Sequence, residues 1–289
     1  MDILTATDFS PESRRATKVA ARLAQRLGDR LVVAHVMKRE AQRAEVEQAL
    51  SAAASDLRAL GGDVIGRIVP RRADDRPHDA IVALGDELDA RLLVLGSHGR
   101  GAASRLILGS VAERTVLASA RPTTIVRGVG EGFEGWALGH RPPRILAAVD
   151  PDSVEPLVAM LSAWRERTAC DVTFLHLYWP VEEVRRRNIQ RKTPVDSEVE
   201  CARIVEADLA ARIGTLSGAG AQALHLRTYL GGAPEFIILE ADRVEADIIV
   251  VGSRRREGTE SFWEGSTAIG VLRAARVPVV CVPLGARSS

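Results

Sequence analysis

The chain repeats itself, and the repeat limits what it can fold into more than any composition does. Ile3-Leu4-Thr5-Ala6-Thr7-Asp8 returns 142 residues later as Ile145-Leu146-Ala147-Ala148-Val149-Asp150. Leu31-Val32-Val33-Ala34-His35-Val36 returns 141 residues on as Val172 to Leu177. Further along, Leu92 to Ser97 matches Ile248 to Ser253, Gly109-Ser110 matches Gly265-Ser266, and Arg121-Pro122 matches Val277-Pro278, all at an offset of 156. The offset jumps once, so about fifteen residues are added inside the second copy, with the poorest correspondence at residues 180 to 225. The expected organisation is therefore a first unit at 1–128, a linker at 129–143 and a second unit at 144–289. The linker's glycines and the pair Pro142-Pro143 favour irregular chain, while Phe133 and Trp136 suggest packing on a neighbour.

Within a unit, short apolar strands alternate with helical stretches. Ile3 to Ala6 reads as a strand. Ser10-Pro11 supplies an N-cap with proline in the first turn, and Ala16, Val19, Ala20, Leu23 and Leu27 follow at helical spacing up to Gly28. Strands are expected at Leu31–Val36, Val64–Val69, Leu92–Leu95 and Thr123–Val126, with helices at Glu40–Leu60, Asp79–Leu88 and Ser110–Ser119. Continuous apolar strands alternating with helices imply a mostly parallel sheet covered on both faces.

Composition narrows the class of function. The 289 residues carry 39 Lys+Arg against 38 Asp+Glu, so no bulk charge marks a nucleic-acid binder. The longest apolar runs, such as Ile248 to Val251, fall far short of the ~18 residues of a membrane span. Met1-Asp2-Ile3-Leu4 does not read as a signal peptide, and three scattered cysteines (Cys170, Cys201, Cys281) encode neither a disulfide framework nor a metal site. A cytoplasmic setting is expected.

In an open parallel sheet, ligands bind beyond the carboxyl ends of the strands, where strand order reverses. That singles out Thr7-Asp8, His35-Val36 and the loop from Gly96 to Ser110. Glycines at 96, 99 and 109 permit close backbone approach, and Gly109-Ser110 opens a helix whose N-terminus favours an anion. Ser110 and Glu113 fit a capping box, and His98 and Arg100 bring donors for a phosphate. His35 and His176 stand at matching strand ends without a neighbouring ligand residue, so structural hydrogen bonds suit them better than a metal. Arg185-Arg186-Arg187 with Arg191-Lys192 is flanked by Glu182, Glu183, Asp196 and Glu198 and reads as a solvated surface.

These residues resemble the universal stress protein family in its tandem form. The family's signature, Gly-x2-Gly-x9-Gly-Ser/Thr, is met by Gly96, Gly99, Gly109 and Ser110, and Ala6-Thr7-Asp8-Phe9-Ser10 and His35-Val36 are similar to the family's strand ends. The resemblance implies two tandem doubly wound α/β domains, Rossmann-like, each with a five-stranded parallel sheet in the order 3-2-1-4-5. It implies an ATP site, with Mg2+ as companion ion, in which Ala6, Thr7, Asp8 and Val36 border the adenosine. Gly96, His98, Gly99, Arg100, Gly109, Ser110 and Val111 would hold ribose and phosphates. It further implies intramolecular pairing of the domains, with Thr123–Val126 and Val279–Val282 at the contact, and a homodimer of the whole chain.

The second copy keeps Asp150, Gly252, Gly265 and Ser266 but has Arg254 and Arg255 where His98 and Gly99 stand, Trp263 for Ile107 and Ile269 for Glu113. A side chain at the Gly99 position obstructs a tight phosphate loop, so nucleotide is expected mainly in the first domain. Two alternatives accompany this expectation: a slow ATPase or adenylate-forming enzyme on the same scaffold, and an interaction module that holds no nucleotide.

Overall fold

The computed structural model describes residues 1–38, 40–71, 76–98, 108–151, 153–189, 193–229, 231–254 and 267–284. In chain order the first half contains β1 (Asp2–Ala6), α1 (Pro11–Leu27), β2 (Arg30–Met37), α2 (Arg43–Arg58), β3 (Val64–Pro70), α3 (Pro77–Glu87), β4 (Leu92–Gly96), α4 (Ser110–Ala118) and β5 (Thr123–Val126). After α5 (Phe133–Ala137) come β6 (Arg144–Ala148), α6 (Val154–Arg165), β7 (Asp171–Tyr178), α7 (Pro180–Arg186), α8 (Pro194–Ile213), β8 (Gln222–Thr228), α9 (Ala233–Arg243), β9 (Ile248–Arg254), α10 (Thr267–Ala274) and β10 (Val279–Leu284).

Each half is a parallel five-stranded sheet in the order 3-2-1-4-5, and together they form one ten-stranded sheet, β3-β2-β1-β4-β5-β10-β9-β6-β7-β8. The central junction is antiparallel, with Thr123 opposite Cys281, Thr124 opposite Val280 and Ile125 opposite Val279. Two apolar layers sandwich the sheet. In the first half, α1 and α2 supply one face through Val19, Leu23, Leu50 and Leu57, and α3 and α4 the other through Ile81, Leu84 and Val116. This is the doubly wound arrangement that the alternating pattern demands. Among the described residues no helix is long and apolar enough to cross a membrane.

Local signals explain the first corner. Ser10 caps α1 by accepting a hydrogen bond from Ser13 N at 3.2 Å, and Gly28 closes the helix at φ 65°, where a β-carbon would be strained. The helix expected from Glu40 starts at Arg43, after a 3-10 turn at Glu40–Gln42. The fifteen or so residues added in the second half correspond to α7 and the connection into α8, at the point where the repeat offset changes. The segment between the units, expected to be irregular, contains α5. Its Trp136 is fully buried in the core and meets Phe133 edge to face, so burying two aromatics organises the chain there.

Polar ties also join the halves. Arg167 donates to Leu27 O at the end of α1 (2.7 Å) and approaches the fully buried carboxylate of Asp29, which also accepts from Arg91 at 2.7 Å. The segment between the units is tied to the second half, where Asp247 accepts two hydrogen bonds from Arg141 (2.6 and 2.8 Å) and one from Arg144 N (2.8 Å).

Candidate nucleotide-binding site

The site is built where β1 and β4 end side by side and their crossovers turn to opposite faces. Thr7 continues the line of β1, its N–H donating to Ala34 O at 2.8 Å. The Thr7 hydroxyl accepts from Phe9 N and shares a hydrogen bond with the Ser13 hydroxyl, both at 3.0 Å. Asp8 accepts from Ser10 N at 3.0 Å, an Asx turn that holds its carboxylate at the mouth of the strand. Phe9 takes φ 63°, rare for a bulky residue, and stacks on the His35 ring with centroids 4.9 Å apart. His35 in turn donates from Nδ1 to Thr7 O at 2.8 Å. His176 repeats that bond to Val149 O at 2.9 Å, so both histidines tie a strand end to the preceding strand's exit.

The opposite wall starts at β4. A β-carbon on Gly96 would lie 3.1 Å from the carbonyl of Glu12 and 3.2 Å from Ser13 N, so this glycine lets the strand end pack on the backbone of α1. Ser97 is buried, donates from N to Val126 O at 3.1 Å and bonds His98 Nδ1 through its hydroxyl at 2.8 Å. Gly109 closes the loop on itself: its N–H donates to Ser97 O at 2.7 Å, and a β-carbon there would sit 3.0 Å from that oxygen. The start of α4 corrects the expected capping box. Gly109 is the N-cap, extended at φ −67°, ψ 142°, and Ser110 is already helical, so its hydroxyl is one residue too late to cap. Gly109 itself has no side chain to cap the helix, and no side-chain cap is made among the described residues.

His98 Nε2 is buried with no hydrogen-bond partner among the described residues. Burial and, after it, the positive charge of Arg127 hold its imidazole below the ordinary value, against the opposing pull of Glu12. Ala6, Val36 and Val111 are half-buried and pack on the same apolar cluster, giving the mouth an apolar side. Thr7 and Asp8 thus stand at the exit of β1 and Gly96, His98, Gly109, Ser110 and Val111 around the exit of the adjoining β4, with Val36 on the next strand. Gly99 and Arg100 lie outside the described residues, as do Arg255, Trp263, Gly265 and Ser266 of the second copy. A separate cavity of about 450 Å³ lies between β3 and α3, lined by Arg67, Val69, Asp79, Leu84 and Glu87 and bridged by the Arg67–Glu87 ion pair. It stands at the sheet edge, away from the loop. Among the described residues no cluster of three metal-ligating side chains occurs.

The equivalent crevice of the second half is built differently. Asp150 is exposed, and its N–H donates to Ser153 Oγ at 2.8 Å. β10 runs two residues further than β5, pairing Pro283 with Ser253 and Leu284 with Arg254. The buried Leu284 side chain and Ser153 Cβ lie 2.8 and 3.0 Å from where a β-carbon on Gly252 would be, so side chains cover this glycine. The repeat already carries this difference, since Gly128 occupies the position of Leu284 in the first copy, but it acquires meaning only once β10 is seen to continue.

Residues 1–127 and 143–283 each match the universal stress protein family profile. The chain belongs to the universal stress protein family. A universal stress protein of Mycobacterium tuberculosis is 27% identical over 223 residues, 77% of this chain and 71% of that protein. A solved universal stress protein of Archaeoglobus fulgidus shares the fold at a TM-score of 0.70 and 19% identity, covering 98% of both chains. Another from the same organism, determined in complex with dAMP, is 28% identical over 43% of this chain and 96% of its own, at a TM-score of 0.37.

Proposed function

We propose that this universal stress protein binds ATP, with Mg2+ as companion ion, in its first half (residues 1–128) and acts in the cytoplasm as a nucleotide-responsive regulator of stress survival. One observation carries the reading. The complete Gly-x2-Gly-x9-Gly-Ser signature begins and ends at the β1/β4 switch point, where α4 presents an N-terminus with no side-chain cap among the described residues. The buried His98 Nε2, without a partner among the described residues, supports it, since a ligand oxygen or nitrogen would complete that ring's hydrogen bonding. Ala6, Val36 and Val111 offer adenine an apolar wall, and Asp8 suits the ribose hydroxyls as an acceptor. ATP, when bound, supplies the polyphosphate charge that the loop and helix end receive.

Leu284 and Ser153 over Gly252 argue that the second half (144–289) serves as partner to the first across β5 and β10. Calorimetric titration tests this: ATP should bind at one site per chain, and Asp8→Ala should weaken it at least tenfold. Two sites per chain, or undiminished affinity in Asp8→Ala, would overturn the assignment.

A further inference from the structure

The strand next to β4 is followed by a cation that the glycine signature does not include. Arg127 follows β5, whose last residue, Val126, pairs with Gly96 and accepts the hydrogen bond from Ser97 N. Its own carbonyl accepts from Arg15 Nη1 at 3.2 Å. From this position the guanidinium crosses the junction: Nη1 donates to Leu272 O (3.4 Å) and to Arg273 O in α10 of the second half. Carbonyls in the last turn of a helix lack intrahelical partners and carry the negative end of its dipole, so a cation is held well there.

Arg127 has no ion pair with a carboxylate among the described residues, and its partial burial works against its charge. After the ring's own burial, that charge helps hold the His98 imidazole below its ordinary value. A guanidinium has five N–H donors in a fixed fork. Here one nitrogen is engaged by α10, while Nε and Nη2 make no hydrogen bond among the described residues. A partly desolvated cation, fixed on one side and without a carboxylate partner among the described residues, therefore stands one residue beyond the Val126 that meets Gly96 and Ser97.

We propose that Arg127 is a phosphate-binding residue of the first-half site, held in place by the C-terminal carbonyls of α10, so that the second half completes the nucleotide site of the first. The proposal rests on the ATP reading. Fixing the guanidinium on α10 removes part of the ordering cost before ligand arrives, and by linkage a bound polyphosphate steadies the end of α10. The arrangement runs one way, because Pro283, with no side-chain donor, takes the corresponding place after Val282 in β10.

The test compares ATP with adenosine in calorimetric titrations of the full chain and of Arg127→Gln and Arg127→Lys. Charged hydrogen bonds of this kind predict ATP binding about ten- to a hundredfold weaker in Arg127→Gln. Arg127→Lys should recover part of the loss, and adenosine affinity should stay unchanged in both. A merely structural role would weaken adenosine and ATP alike, and that result overturns the proposal, as does full ATP affinity in Arg127→Gln. Should the unaltered chain bind neither ligand, the ATP reading falls and takes this one with it. Hydrogen exchange on the unaltered chain gives an independent readout: ATP, but not adenosine, should slow the amides at 272–276, and equal protection by both would also refute it.

Discussion

Thr124 lies in the middle of the junction between the halves and is wholly buried, and its hydroxyl oxygen has no hydrogen-bond partner among the described residues. The residue opposite it across the antiparallel pair is Val280, which is also its counterpart in the repeat. Thr124→Val keeps the side-chain shape, replaces the stranded hydroxyl with a methyl and makes the pair symmetric. A buried hydroxyl without a partner costs roughly 1–3 kcal/mol, and the added methyl contributes about 0.8 kcal/mol through burial. The variant should therefore be more stable by about 2–4 kcal/mol, a direction opposite to that of most core substitutions. At roughly 2–4 °C for each kcal/mol, a thermal scan resolves the gain. Thr123→Val is the control, because the Thr123 hydroxyl donates to Arg121 O at 3.1 Å and its loss should lower the midpoint. If Thr124→Val melts with or below the parent, the hydroxyl has a partner and the reasoning about this junction fails.

Three further outcomes follow from the packing and the charges. Trp136→Ala should cost about 3–5 kcal/mol in denaturant unfolding, since a fully buried indole leaves a cavity beneath α5; a loss under about 1 kcal/mol would mean that the segment between the halves is not part of the core. Gly96→Ala should cost roughly 1–3 kcal/mol because the new methyl meets the main chain of α1 rather than a movable side chain, and a neutral result in the same assay would show that α1 can yield. His78, His98 and His176 are all held below the ordinary imidazole value of 6.5, chiefly by burial. Below that pH the unfolded chain takes up protons that the folded chain refuses, so stability should fall as pH drops from about 6.5. Glu183 and Glu240, held below 4.5 by arginine and histidine partners despite burial, extend the loss to lower pH. Unfolding free energies from pH 8 to 4 check this, and a curve flat between pH 7 and 5 would refute the histidine contribution.

The parts of the fold that show in the sequence are those with local causes. Ser10-Pro11 and Gly28 mark both ends of α1 because capping and a left-handed turn need only neighbouring residues. The five-strand period of each half shows because the apolar runs are long enough to be buried on both faces. Ser110 and Glu113 misled for an equally local reason: the capping-box spacing is present, but Gly109 takes the extended backbone of the cap, so Ser110 is the first helical residue and not the cap. Arg127 and Leu284 were beyond sequence reasoning, since the carbonyls that hold Arg127 lie 145 and 146 residues away and Leu284 matters only through its contact with Gly252.

The repeat also shows where the two halves were free to diverge. At the amino ends of the strands, Arg91 N donates to Asp2 O, and at the same place in the second half Asp247 N donates to Arg144 O. The backbone bond is the same and the charges are exchanged. Each exchange has a partner: Arg91 meets Asp29, and Asp247 meets Arg141. A buried charge demands an opposite one, and when both belong to the protein either may carry either sign. At the carboxyl ends no such exchange occurs. Arg127-Gly128 follows β5 in the first half, and Pro283-Leu284 takes its place with apolar cover over Gly252 in the second. A cation there can be dropped and the space filled, but its sign cannot be swapped if the partner it serves is an anion from outside the chain. The contrast between the two ends of one sheet accords with the proposal of a ligand at the carboxyl end of the first half.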